Sequence, residues 1–248
     1  MKARVVLRSI LVTTRKDIRI YYRKAPVWIF GLLLPVFLFL AFFIGRELNM
    51  KEYFPGFLAM SLFFTASSVG PLIIPWEKQA GTFERMLSYP VSLSTIVIGD
   101  ILAGAIFGTV ISLIVVIIGA AFLAIEVTSA TVLFLFFAAG NLCFAALGTL
   151  LSASSGRVPS NTMMLSSLVR FPLIFISGVF VPLGNMHGAG AYLAYGSPLT
   201  YLVDGFNSSL GVDSFVSASI GILVLVLYSL LFFGLTIILL RRNLMKGL

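Results

Sequence analysis

Six long apolar stretches constrain the fold of this chain more than any other feature. A helix that crosses a bilayer needs about 20 mostly apolar residues, because the hydrocarbon core is ~30 Å thick and a helix rises ~1.5 Å per residue. The apolar residues are continuous rather than alternating with polar ones, which favours helices over barrel strands. The sequence therefore predicts an all-α membrane protein with six transmembrane helices, at Pro26–Ile44, Phe54–Ile74, Ile101–Ile125, Thr131–Leu151, Thr162–Val181 and Phe215–Leu240.

The distribution of positive charge predicts the orientation of these helices. The chain has 17 Lys and Arg residues and a net charge of +8, and eight of the 17 precede Ala25. If both termini are cytoplasmic, the inside segments hold fourteen of them, including Arg157, and the outside loops hold only Arg46 and Lys51. Lys and Arg are retained on the cytoplasmic side during insertion. We therefore expect a multi-pass protein of the cytoplasmic membrane with both termini inside, and the basic excess does not indicate a nucleic-acid partner.

Residues 1–24 have the pattern of a helix that lies in the membrane interface. On a helical wheel, five arginines fall on one face and four apolar residues on the opposite face, which is typical of an amphipathic helix among lipid headgroups. Alternatively, the segment is a basic tail that sets topology and its helicity is incidental. We expect residues 25–248 to form the six-span domain. The arginines are Arg4, Arg8, Arg15, Arg19 and Arg23, and the apolar residues are Leu7, Ile10, Ile18 and Tyr21.

Residues 184–207, before the last apolar stretch, have the pattern of neither a simple loop nor a span. The segment is semi-apolar, rich in Gly, Tyr and Pro, and without Lys or Arg. Tyr192–Tyr195 and Leu199–Phe206 favour two short helices that are separated at Gly196–Pro198. Irregular backbone at membrane depth is tolerated only where protein or a cavity covers it. We therefore predict two short external re-entrant helices between spans five and six.

The sequence lacks the motifs of ATPases and of membrane enzymes. It contains no G-x-x-x-x-G-K-[ST] phosphate loop, so it does not bind ATP in that way. His187 is the one histidine, Cys143 is the one cysteine, and the nine acidic residues are scattered. These residues form no metal-ligand or Ser-His-Asp pattern. We therefore expect no catalytic residue, no metal and no cofactor in this chain.

A charged island at Glu77–Arg85 interrupts the apolar sequence. Phe54–Ile74 precedes it, and an uncharged run begins at Ile101. A short polar helix between two spans is placed to contact something soluble. The alternative is a polar interfacial loop that only separates two spans.

The island belongs to a longer pattern of residues. Tyr53–Met60 contains a Pro-Gly pair at the start of a span, and Glu77–Ser92 contains a glutamate, then G-T-F-E, then Pro-Val. A second pair of segments, Ser177–Leu183 and Ser197–Phe206, contains S-G-V-F-V-P and S-P-L-T-Y. With the span count and the basic N-terminus, these segments resemble the permease subunits of type-2 ABC exporters over essentially the whole chain. Ser197 departs from the pattern, because asparagine is usual there.

The resemblance implies that this chain is half of an exporter. Two permeases, as a homodimer or a related heterodimer, would form the pathway through the membrane, in contact with its lipids. Separate ATP-binding subunits would hold ATP and Mg²⁺ and drive transport from the cytosol. Residues 77–88 would be the coupling helix, with an apolar stripe of Ala80, Phe83 and Leu87 and charged contacts to the ATPase. The residues expected at this contact are Glu77, Gly81, Thr82, Phe83, Glu84 and Arg85.

The resemblance also directs attention to the external helices, where a gate is expected at Gly178, Pro182, Pro198, Tyr201 and Asp204. Arg170 is notable on physical grounds, because a charge within an apolar stretch is costly unless it pairs, snorkels to the interface or faces water. Asp100, at the start of the third span, is the expected partner of Arg170. The interpretations left open are a structural ion pair, snorkelling, and a place on the substrate pathway.

The sequence gives only a weak indication of the cargo. The apolar spans and the lack of a large external domain favour an amphipathic or hydrophobic compound, such as a drug or a lipid-like molecule. Export of a polysaccharide or lipid-linked glycan is the alternative, for which Tyr192, Tyr195 and Tyr201 would supply sugar-stacking aromatics. A different class of protein, an ATP-independent channel or secondary transporter, would require acidic residues along the spans, and these are absent apart from Asp100.

Overall fold

The computed structural model describes residues 3–45, 49–123, 125–154, 156 and 158–246. Within these ranges all regular structure is helical. Arg46 and Arg157, which contribute to the predicted orientation, lie outside the described residues. The helices are α1 (Ala3–Tyr21), α2 (Ala25–Trp28), a π turn (Ile29–Leu33), α3 (Leu34–Phe43), α4 (Met50–Gln79), α5 (Thr82–Leu87), α6 (Leu93–Leu123), α7 (Ala130–Ser154), α8 (Pro159–Ile176), a 3₁₀ turn (Leu183–Asn185), α9 (Ala189–Tyr195), α10 (Pro198–Ser209) and α11 (Ala218–Lys246).

Five helical segments are long and apolar enough to cross a membrane. They are Ala25–Phe42, Met50–Gln79, Leu93–Ala121, Ala130–Ser154 and Ala218–Met245. The prediction of an all-helical, multi-pass membrane protein is confirmed. The fifth predicted span corresponds to α8, which has 18 residues and begins with a polar turn. A sixth span at α8 therefore stays a prediction. Helix α8 ends at Ile176, five residues before the predicted limit, where Gly178 takes a left-handed φ of 85°.

Helix α4 is the central element of the fold. Of its most apolar window, 94% is buried inside the protein, between α6, α7 and α8. Phe63 of α4 packs edge-on against Phe144 of α7, with ring centroids 4.9 Å apart. A β-carbon on Gly70 would lie 2.6 Å from the backbone of Gly148 and Thr149, so these two helices touch at their glycines. Small residues at such crossings let membrane helices approach closely.

Three prolines lie inside α4 without ending it. Pro71 and Pro75 lie at the end of the predicted second span, but they do not end the helix, which continues to Gln79. A proline removes one backbone N–H and so leaves the carbonyl four residues earlier without its helical donor. Spanning helices tolerate this loss where neighbouring groups bond the freed carbonyl. The carbonyl freed by Pro71 belongs to Ser67.

The segment before α11 forms the two short helices that the sequence predicts. Helix α9 ends at Tyr195 and α10 begins at Pro198, on either side of the predicted break. The Thr200 hydroxyl donates to the Ala194 carbonyl at 2.6 Å and ties the two helices together. Helix α10 packs against α4, α7 and α11. The predicted re-entrant position of these helices in a membrane stays a prediction.

Candidate functional site: the α1–α5 corner

The charged island lies at a corner of the molecule where α1, the end of α4, α5 and the start of α6 meet; we call it the α1–α5 corner. The island is not the single helix over 77–88 that the sequence predicts. Helix α4 ends at Gln79, and α5 begins at Thr82. Gly81 between them has a φ of 66°, a left-handed conformation that glycine adopts without strain. A left-handed glycine is a common end of a helix, so the break follows from this residue.

The predicted contact residues divide into an inward and an outward set. Phe83 is 1% exposed and packs in one cluster with Ile74 and Val97, so the predicted stripe to a partner is wrong at this residue. Glu77 is 4% exposed. The outward set comprises Gly81, Thr82, Glu84 and Arg85, which are all exposed. The corner therefore presents a short polar turn and helix, anchored from beneath by Phe83.

Glu77 pairs with α1. Lys16 donates a hydrogen bond to the Glu77 carboxylate, and the Lys16 Nζ also lies 2.9 Å from Asp17 Oδ1. The second contact is an ion pair without the angles of a hydrogen bond, because the Asp17 oxygens have no hydrogen-bond partner among the described groups. Asp100 of α6 is 1% exposed and faces the same group of charges. The corner thus buries three carboxyl groups around one ammonium.

Burial and these neighbours set the charge state of the α1 residues. Burial lowers the pKa of Lys16, but the carboxylates of Asp17, Glu77 and Asp100 outweigh it and raise that pKa above its ordinary value. Burial raises the pKa of the Asp17 carboxyl, and Lys16 opposes that rise. Lys16 is therefore held protonated, while ionisation of Asp17 is disfavoured.

Helix α1 is fastened to the bundle by polar contacts. Thr14 donates to the Gly99 carbonyl of α6 at 3.1 Å, and Tyr21 donates to the Ile73 carbonyl of α4 at 3.3 Å. A β-carbon on Gly99 would lie 2.6 Å from the β-carbon of Thr13, so α1 crosses α6 at this glycine. Only part of the predicted apolar face of α1 therefore packs against the bundle. Tyr21 is buried in the protein, whereas Leu7 is 61% exposed. That α1 lies in a membrane interface stays a prediction.

A groove separates α1 from α5 on the outer side of the corner. Its volume is about 580 Å³, and its walls combine the cations Arg4 and Arg8 with the apolar side chains Val12, Met86 and Tyr89. Val12 is 61% exposed and Tyr89 is 65% exposed. The groove is next to the exposed polar residues of α5, so one continuous surface of mixed chemistry runs from α5 to α1.

Arg170 lies elsewhere and does not pair with Asp100, so that prediction is wrong. The Arg170 side chain is 1% exposed, and its Nη2 donates to the backbone carbonyl of Ser67. Its Nε has no hydrogen-bond partner among the described groups. This carbonyl is the one that Pro71 leaves without a helical donor. The guanidinium thus replaces the missing N–H of α4, while Asp100 faces α1.

Two of the predicted gate residues, Asp204 and Tyr201, make hydrogen bonds from α10 to neighbouring segments. The Asp204 carboxylate accepts the backbone N–H groups of Phe215 and Val216, at 2.8 and 2.9 Å, and holds the chain that leads into α11. Burial raises the pKa of this carboxyl, and the two N–H donors oppose that rise. The Tyr201 hydroxyl donates to the Tyr195 carbonyl at 3.0 Å. That these residues act as a gate stays a prediction.

Gly178, Pro182 and Pro198 shape the connections at the same end. Gly178 provides the left-handed turn after α8, Pro182 precedes the 3₁₀ turn, and Pro198 is buried at the first turn of α10. A β-carbon on Gly56 of α4 would lie 2.8 Å from the Val179 carbonyl, so the turn rests on α4. Sequence reasoning missed the partly buried Lys16–Glu77 pair. The available signal was Asp17, which is the only acid among the basic residues 1–24.

Family comparison agrees with this arrangement of helices. The profile described as "ABC-2 type transporter" matches residues 8–211, which covers most of the chain and includes α1 from residue 8 onward, the α1–α5 corner and α10. The chain belongs to the ABC-2 type transporter family. A comparison with curated proteins gives no match. The chain is the transmembrane permease subunit of an ABC transporter, and membership of the ABC-2 family implies a partner that binds ATP.

Proposed function

We propose that the protein is one half of an ATP-driven exporter and that the α1–α5 corner is where a separate ATP-binding subunit docks. In this proposal six spans, with α8 as the fifth, place both termini and the corner in the cytoplasm of the cell. Two copies, or two related permeases, form the pathway, and ATP and Mg²⁺ are held by the partner subunits. The observation that carries the proposal is the exposed α5 at the end of the most buried helix, within a chain of this family.

The proposed docking contact is narrower than the sequence indicates. Thr82, Glu84 and Arg85 are exposed and available to a partner, whereas Glu77 and Phe83 hold the corner against α1 and α6. A shift of α5 imposed by the partner is therefore transmitted to α4 through the two-residue turn and to α1 through the Lys16–Glu77 pair. Coupling requires that the ATP-binding subunit bind two permease states with different affinity.

A charge reversal on α5 tests the docking contact without removing its anchor. We expect Glu84→Lys combined with Arg85→Glu to abolish co-purification of the ATP-binding subunit, while the chain still inserts and stays monodisperse in detergent. The matched control is Lys51→Glu with Glu52→Lys, an exposed acid–base pair at the opposite end of α4. The docking assignment is wrong if the Glu84 and Arg85 variant retains the ATP-binding subunit as well as the control does.

We propose an amphipathic or hydrophobic cargo, a drug or lipid-like molecule. The support is the apolar surface of the spans, with α11 only 11% buried over its most apolar window. Export of a glycan is the second candidate, and the observation that favours it is the exposure of Tyr192 and Tyr195 on α9, at 83% and 44%. Exposed aromatic rings of this kind are suited to stacking on sugar rings.

Stimulation of ATPase activity in the reconstituted complex distinguishes the two cargoes. A panel of amphiphiles should raise the hydrolysis rate, and Tyr192→Ala should leave that response unchanged. Stimulation by lipid-linked oligosaccharide that is lost in Tyr192→Ala would instead support the glycan. Transport that persists without any ATP-binding subunit would contradict the exporter proposal and indicate a channel or secondary transporter.

A further inference from the structure

The carboxyl groups of Asp17 and Asp100 meet inside the α1–α5 corner with no hydrogen-bond donor between them. Asp17 belongs to α1 and Asp100 to α6, and their side chains lie within hydrogen-bonding reach of each other. Asp17 is fully buried and Asp100 is 1% exposed. None of their four oxygens has a hydrogen-bond partner among the described groups. An ionised carboxylate only accepts hydrogen bonds, so two ionised groups in this position repel each other.

The surrounding charges do not remove this repulsion. Among the described residues, the titratable groups that face the pair are Lys16 and Tyr21 of α1, Tyr22 directly after α1, and Glu77 of α4. Three ionised carboxylates and one ammonium would leave a net charge of −2 in a buried space. Lys16 is already engaged by Glu77 and by Asp17. The Tyr21 and Tyr22 hydroxyls each donate a hydrogen bond to a backbone carbonyl. Within the described part of the chain, the only cation that faces Asp100 is Lys16, which Glu77 and Asp17 already engage.

We propose that the Asp17–Asp100 pair is a proton-binding site, in which one shared proton joins α1 to α6. The proton converts two mutually repelling acceptors into a donor and an acceptor, and it lowers the buried charge by one. Two carboxyl groups that share a site cannot both ionise readily. The Thr14–Gly99 hydrogen bond and the close crossing at Gly99 keep the two helices in register around the pair.

The site makes the attachment of α1 depend on pH. Burial raises the pKa of the Asp17 carboxyl, so the folded corner binds a proton that the unfolded chain has already released. Stability from this site is fully present below the ordinary range of an aspartate and is lost as pH rises through the range in which the pair deprotonates. Deprotonation restores the repulsion between α1 and α6 beside α5. This inference concerns the permease chain alone and does not depend on a partner.

Infrared spectroscopy of the full chain in nanodiscs tests for the proton directly. The chain has four aspartates, and ¹³C-labelling of aspartate identifies their carboxyl bands. At pH 7 we expect a protonated-carboxyl band in the wild-type chain that disappears in Asp100→Asn. Asp17→Asn should also lose the band, and it replaces Asp100→Asn in the test if that variant folds poorly. Asp213→Asn, an exposed aspartate, is the matched control and should retain the band. An unchanged spectrum in both Asp17→Asn and Asp100→Asn overturns the proposal.

Thiol labelling tests the consequence for α1. In a Cys143→Ala background, Thr13→Cys reports the buried face of α1 and Val12→Cys the exposed face. The ratio of their maleimide labelling rates cancels the intrinsic pH dependence of a thiol. We expect this ratio to rise by up to about tenfold per pH unit between the ordinary pKa of an aspartate and the pH at which the folded pair deprotonates, and to level off above that pH. In Asp100→Asn the ratio should be flat. A slope retained in Asp100→Asn overturns the proposal, as does a ratio set by added Na⁺ or Ca²⁺ at constant pH.

Discussion

Replacing Arg170 by methionine should change the stability of the chain little. The reason is that the partner of Arg170 is a backbone carbonyl of α4 and not a carboxylate. If α8 spans the membrane as proposed, a charged residue near its centre costs about 2.5–3.5 kcal/mol. The hydrogen bond from Arg170 to the Ser67 carbonyl offsets about 1.5–3 kcal/mol of that, as expected for a charged donor. Arg170→Met removes both contributions and keeps a long apolar side chain. The net change in unfolding free energy should therefore lie between a loss of about 0.5 kcal/mol and a gain of about 2 kcal/mol.

A double-mutant cycle with Pro71 isolates the hydrogen bond. In Pro71→Ala, the new N–H of residue 71 can bond the Ser67 carbonyl within α4, so the guanidinium no longer has a necessary role there. Arg170→Met should then be more favourable by about 1.5–3 kcal/mol than it is in the wild-type chain. The same cycle with Asp100→Asn should give a coupling within about 0.5 kcal/mol, as for independent sites.

The measurement is equilibrium unfolding of the purified chain in mixed detergent micelles, followed by the fluorescence of its two tryptophans. Lys16→Met combined with Glu77→Gln serves as a positive control, because that pair is in direct contact. A coupling above about 1 kcal/mol between Arg170 and Asp100 would show an ion pair and refute the reasoning. So would the absence of coupling between Arg170 and Pro71.

Three further predictions concern the corner and the α10 end. Lys16→Met should destabilise the chain by about 3–5 kcal/mol, because three buried carboxyls lose their cation. In the same unfolding assay, Glu77→Gln should destabilise the chain by at least about 1 kcal/mol less. Equal losses of stability in the two variants would contradict this prediction. Gly81→Ala should lower stability by about 1–2 kcal/mol through its positive φ alone, because no described atom lies within 4 Å of the new methyl group. The control Gly190→Ala in α9 should not lower stability. Similar shifts in melting temperature for the two variants would contradict this prediction. Asp204→Leu should expose the two amides that it caps to hydrogen exchange, and Asp204→Asn should expose one; unchanged protection would show that the cap is dispensable.

Local signals in the sequence were sufficient to predict the two short helices before α11. Gly196 and Pro198 interrupt the helices through their own backbone preferences, and the observed ends at Tyr195 and Pro198 follow. The same rules do not hold at Pro71, because a proline ordinarily ends or kinks a helix and α4 continues past this one. There the outcome depends on a donor from α8, more than ninety positions away in the chain, and a local rule cannot include such a contact.

The candidate site was predictable in position but not in composition. The island between two apolar runs located the corner, and the family pattern supported it. The sequence predicts that Phe83 and Glu77 face a partner. This prediction fails because the sequence alone does not show which side of a short helix is covered by the rest of the chain. The left-handed turn at Gly81 and the crossing of α1 over α6 decide that orientation. The sequence predicts Asp100 as the partner of Arg170 because both are ionisable residues in or beside apolar stretches. The packing of α1 against α6 instead places Asp100 beside Asp17 and Lys16.

The burial of α4 has a consequence for how the chain is made. During synthesis α4 enters the bilayer before α7, α8 and α10, the helices that later surround it. Its hydroxyl-bearing residues Ser61, Thr65, Ser67 and Ser68, all buried in the finished protein, would first face lipid. The carbonyl freed by Pro71 also has no donor until Arg170 is inserted. A nascent chain that stops before α8 therefore contains an incomplete centre, and a membrane quality-control protease that recognises exposed polar groups would distinguish it from the finished permease.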